Sequence, residues 1–89
     1  MHMTTEAVDP EHWHFYIGYN PDILVGKPTI SGTRISVEQI LGMLAGGHSI
    51  DEILTDGFPH LKREQVLACI AYGRDLVRVQ PFLTKAVPD

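Results

Sequence analysis

The fifteen residues from Gly26 to Ile40, Gly-Lys-Pro-Thr-Ile-Ser-Gly-Thr-Arg-Ile-Ser-Val-Glu-Gln-Ile, leave this chain little freedom in how it folds. Pro28 fixes φ and withdraws an N–H, while Gly26 and Gly32 admit positive φ. Thr29-Ile30 and Arg34-Ile35 are therefore expected to be short strands joined by a tight Ser31-Gly32 turn. Ser36 follows as a helix cap: its hydroxyl is placed to accept the Gln39 amide, and the Gln39 side chain to reach back. Val37, Ile40, Leu41 and Leu44 then recur at i, i+3, i+4 and i+7, which is one apolar helical face.

Two more helices follow from the same punctuation. Gly46-Gly47 stops the first, and Ser49-Ile-Asp-Glu52 is a second capping box that opens a short helix with Ile50, Ile53 and Leu54 inward. Asp56-Gly57 ends it. After Phe58-Pro-His-Leu61, a longer helix is predicted from Lys62 to Val79, with Pro81 barring continuation. Its core face is predicted to be Val66, Ile70, Gly73 and Val77, flanked by Cys69 and Leu76. Arg63, Arg74 and Arg78 share a neighbouring stripe with Leu67. Upstream, Trp13, Phe15, Ile17 and Tyr19 alternate with His12, His14, Tyr16 and Gly18, the period of a half-buried strand. Asn20-Pro21-Asp22 turns that strand, and Ile23-Leu24-Val25 returns it.

The fold class is thus mostly α: a three-helix, helix-turn-helix-like domain with an N-terminal β-ribbon. Residues 1–11 are a loose lead-in, 12–35 the ribbon and dimerisation segment, 36–79 the helical body and 80–89 a tail. At 89 residues and 44% hydrophobic content, a domain this size buries only about 60–65% of its unfolded surface. A homodimer joined through Trp13, Phe15, Ile17 and Tyr19 is the expected remedy for so thin a core. The single cysteine, Cys69, lies in a helical apolar run and is expected in the core of a protein of a reducing, cytoplasmic compartment. No apolar run approaches the ~20 residues of a membrane span, and the N-terminus lacks a secretory plan.

Residue chemistry argues against an enzyme. His12 and His14 share a strand face without a third metal ligand at sensible spacing. His48 and His60 belong to caps and turns, and Asp51-Glu52 suit the helix dipole rather than acid–base work. Lys27 beside Gly26 lacks the Gly-Lys-Ser/Thr of a phosphate loop. No cofactor or metal is expected. Arg34, between small and apolar neighbours, is expected to hold a carboxylate or backbone carbonyls, as a structural bond at a subunit interface, with anion binding as the alternative. Arg63, Arg74, Arg78 and Lys62 are candidates to face DNA phosphates, a protein partner or solvent; the net charge of −4 weighs against broad coating of nucleic acid.

Asn20-Pro-Asp-Ile-Leu-Val-Gly-Lys-Pro-Thr-Ile-Ser-Gly-Thr-Arg-Ile-Ser-Val37, with Leu44-Ala-Gly-Gly-His-Ser-Ile50, Phe58-Pro-His-Leu61 and Ala68-Cys-Ile-Ala-Tyr72, resembles the domain of unknown function 433 family over roughly Tyr16 to Arg78. One departure is Lys62, where the family commonly has Ser or Thr, which weakens the third helix's cap. The resemblance implies a helix-turn-helix-like domain of VapB-type antitoxin character, paired with a PIN-like ribonuclease. The expected function is then a small dimeric DNA-binding regulator and antitoxin. The alternative is a protein-only interaction module on the same scaffold.

Overall fold

In the computed structural model of the protein, residues 12–79 are described; the expectations for 1–11 and 80–89 lie outside them. The N-terminal segment departs from the predicted ribbon. Trp13–Phe15 is a single 3-10 turn, and only Ile17–Gly18 (β1) is strand. β1 pairs antiparallel with Thr29–Ile30 (β2), Ile17 opposite Ile30 and Gly18 opposite Thr29. The alternation failed because Trp13 turns back toward the last helix rather than running along a sheet. Its ring lies edge-on to Tyr72 with centroids 4.7 Å apart, and its indole N–H donates to Asp75 Oδ2 at 2.8 Å. Of the four aromatic and aliphatic residues predicted on one face, Ile17 is buried and Trp13 half-buried, whereas Phe15 and Tyr19 stand in solvent.

The predicted return segment, Ile23-Leu24-Val25, runs into a turn. Leu24–Gly26 forms a 3-10 turn whose three residues all carry positive φ, at 52°, 57° and 77°. For an L residue that conformation costs roughly 1–2 kcal/mol. Hydrogen bonds hold it, from Gly26 N–H to Ile23 O at 3.1 Å and from Lys27 N–H to Leu24 O at 3.1 Å.

The Ser31-Gly32 turn forms as expected. Thr33 N–H donates to Ile30 O at 3.0 Å, and Gly32 takes φ +82° at the turn position that excludes most side chains. Arg34-Ile35 is not a strand, although Ile30 N–H donates to Ile35 O at 2.9 Å and Thr29 bridges Ser36. Thr33 Oγ1 closes the loop instead, donating to Ile30 O and accepting from Ile35 N–H.

Helix α1 (Val37–Ala45) starts on Ser36, whose Oγ accepts from Gln39 N–H at 2.9 Å. It ends in a Schellman motif. His48 N–H reaches Met43 O and Gly47 N–H reaches Leu44 O, both at 3.0 Å, with Gly47 at φ +100°. Helix α2 (Ile50–Glu52) has both halves of its capping box, Glu52 N–H to Ser49 Oγ and Ser49 N–H to Glu52 Oε1. It continues as a π-turn over Ile53–Gly57, closed by Phe58 N–H to Ile53 O at 2.7 Å. Helix α3 (Arg63–Val79) is capped from the other direction: Lys62 offers no side-chain acceptor, and Gln65 Oε1 accepts the Lys62 N–H at 2.7 Å.

The core draws on nearly every element. Ile30 from β2, Ile40 from α1, Ile53 from the π-turn, and Val66 and Cys69 from α3 are all fully buried. The phase of α3 differs from the predicted one. Ala68, Cys69 and Ala71 are buried with Val66, while Ile70, Leu76 and Val77 are exposed. Small residues face inward because α1 lies close: a Cβ on Gly73 would meet Leu41 Cδ1 at 3.2 Å.

Candidate interaction surfaces

The arginines of α3 do not project freely. Arg63 pairs with Asp51 of α2. Arg74 binds Asp75 Oδ1 through Nε and Nη2, both at 3.1 Å, and Arg78 approaches the same oxygen at 3.7 Å. Asp75 therefore takes the Trp13 indole on one oxygen and two guanidinium groups on the other. The Trp13 hydrogen bond, then that of Arg74 and the charges of both arginines, hold its carboxyl below the ordinary value. Two aspartates thus sit against three arginines. Between those arginines, Ile70 and Val77 face outward, 39% and 64% exposed. The Lys62 ammonium, at the start of the helix, makes no ion pair among the described residues.

The second surface surrounds the Gly26–Ser36 loop. The sequence predicted that Arg34 would be held by a carboxylate or carbonyls. Within the chain it is exposed, with no hydrogen bond or ion pair among the described residues, and Thr33 closes the loop's own bonds. Arg34 lines a depression of about 550 Å³ with Tyr19, Asn20, Ile23 and Ser31. It also lines one of about 420 Å³ with Leu24, Lys27 and Gln39. Lys27 is engaged, its Nζ 2.9 Å from Glu38 Oε1; that bond and charge lower the Glu38 carboxyl. Val25 at the loop tip is 96% exposed and Tyr19 is 73% exposed.

The remaining chemistry-bearing side chains fall into structural places. His14 stacks on Trp13 with ring centroids 3.8 Å apart, and His48 and His60 are exposed. Among the described residues no group of three His, Cys, Asp or Glu could hold a metal ion. Cys69 is buried, and burial pushes its thiol up to about 12, so it is a core residue, as the sequence suggested. None of the described helices is long and apolar enough to cross a membrane. Sequence reasoning missed the role of Asp75, since nothing in a local pattern joins it to a tryptophan 62 positions away.

A three-helix body with a short antiparallel hairpin, bearing two exposed surfaces, is what these residues build. The chain belongs to the DUF433 family of proteins of unknown function, whose model matches residues 17–73. It is 36% identical over 54 residues to an uncharacterized protein, y4eO, of Sinorhizobium fredii (strain NBRC 101917 / NGR234). That match covers 61% of this chain and 24% of the relative, so the chain spans about a quarter of that protein. No solved structure matches it.

Proposed function

We propose that this domain is a cytoplasmic, antitoxin-type regulator that acts chiefly by capturing a protein through the outer face of α3. The carrying observation is the state of the arginines there. Asp51 and Asp75 already hold Arg63, Arg74 and Arg78, so phosphate contact would compete with existing pairs, while Ile70 and Val77 remain exposed between them. Arginine with desolvatable aliphatic side chains suits a protein interface. The PIN-like ribonuclease implied by the family resemblance is the expected partner. Operator DNA is the second reading, supported by the placement of α3 after short α2, the reader position of a helix-turn-helix, and by Lys62 at its start, which makes no ion pair among the described residues.

The test is co-purification with a PIN-like ribonuclease encoded beside this gene, using wild type and the Ile70→Glu/Val77→Glu variant. Capture by the wild type and its loss in a variant with unchanged circular dichroism is the expected result. Undiminished capture by the variant refutes the α3 surface. Duplex binding by the wild type whose log affinity falls with log salt at a slope of about −0.9 per phosphate, without ribonuclease capture, supports the DNA reading instead.

A further inference from the structure

Two opposite charges stand unpaired on the surface around the left-handed turn. Arg34 has no partner among the described residues, and neither has the exposed carboxylate of Asp22. Arg34 lines a depression with Asn20 and Ile23, the two residues that bracket Pro21-Asp22. Hydrogen bonds fix this bracket, from Asp22 N–H to Asn20 Oδ1 at 2.8 Å and from Ile23 N–H to Asn20 O at 2.9 Å. Beside it the turn thrusts Val25 outward at φ 57° and 96% exposure, with Leu24 exposed before it and exposed Tyr19 against Gly26. A β-branched residue that is both strained and bare to water gains nothing for an isolated chain. Covering it with another apolar surface supplies what the single chain lacks.

We propose that this face is where two copies of the chain meet about a two-fold axis. Leu24, Val25 and Tyr19 of each copy pack against those of the other, and Arg34 of each pairs with Asp22 of the other. A second copy fits better than an unrelated partner because the face presents one unpaired cation and one unpaired anion together. An isologous contact requires that self-complementarity, whereas a nucleic acid would meet only the cation. The face also leaves α3 free for its own partner. It reaches that helix through Tyr72, which lines a depression with Tyr19 and Gly26 and lies two residues, about 200°, around α3 from Ile70. The inference goes beyond the proposed protein capture and does not depend on it.

Light scattering on the full chain across a concentration series, with sedimentation equilibrium for affinities, tests the arrangement. The expected wild-type species has twice the 9.9 kDa chain mass. Val25→Glu, Arg34→Asp and Asp22→Arg should each weaken association by about tenfold or more. The exchanged double variant, Arg34→Asp with Asp22→Arg, should recover most of the loss, with circular dichroism unchanged throughout. A wild type that stays monomeric at all concentrations overturns the proposal. So does a dimer indifferent to Val25→Glu, or an exchanged variant as weak as its single parents. Ribonuclease capture by a monomeric variant would still support the α3 reading, so the two proposals fail separately.

Discussion

Replacing Val25 by glycine should stabilise the isolated chain. Val25 sits at φ 57°, where an L side chain costs roughly 1–2 kcal/mol, and the cost falls away once Cβ is removed. Glycine brings its own penalty, about 0.5–1 kcal/mol of extra chain entropy lost on folding. Nothing else enters the balance, because at 96% exposure the isopropyl group has almost no burial to lose. The difference is a gain centred near 0.75 kcal/mol, which for a domain of this length raises Tm by about 3–6 °C. Differential scanning calorimetry at the lowest workable concentration reads the unassociated chain, with Val25→Ala as the control. Alanine keeps Cβ and the strain, so its Tm should stay near that of the wild type. A fall in Tm for Val25→Gly, or a rise for Val25→Ala equal to that of glycine, refutes the reasoning that the turn stores strain at Cβ.

Two further outcomes follow from the interior. Trp13→Phe keeps a ring against Tyr72 but removes the donor to Asp75, so the carboxyl pKa, followed by carbon NMR, should move up toward its ordinary 3.8. A depressed folded pKa contributes stability that is present above 3.8 and lost as pH falls through the folded value. The wild type should therefore lose more in urea midpoint on acidification below that point than Trp13→Phe does, and equal losses would count against the bond. Cys69, buried with its thiol pushed to about 12, should react with an aromatic disulfide at pH 8 at least about 1,000-fold more slowly in the native chain than in denaturant. Labelling at the denatured rate would place the thiol on the surface.

What the sequence made legible was local. The Ser49 capping box, the Gly32 turn and the glycine stop after α1 each depend on residues within four positions, and each formed as read; at Ser36 only the hydroxyl half of the box formed, with no return bond from the Gln39 side chain among the described residues. The failures were of another kind. Trp13 to Tyr19 alternates like a strand, but the tryptophan's strongest bond is to Asp75, and that distant attraction overrode the local period. In α3 the predicted core face holds at Val66 and at Gly73, which packs on α1, but Ile70 and Val77 are exposed and the small residues Ala68, Cys69 and Ala71 are buried in their stead. Arg34 is expected to make a fixed bond, foremost at a subunit interface; within the chain it has no partner among the described residues, and the interface bond stands as a proposal. The arginine stripe was visible as a spacing, but the aspartates that occupy it come partly from α2 and from the flank of α3, and pattern alone does not rank those contacts.

The 2.8 Å bond between Trp13 and Asp75 joins positions 62 residues apart in the chain. It holds the first described turn against the last helix, so the two ends of residues 12–79 lie toward one side of the unit. Units with neighbouring ends are tolerated as insertions in exposed loops and as appended modules alike. A domain clasped in this way can be carried within a larger polypeptide without the host's own fold having to open.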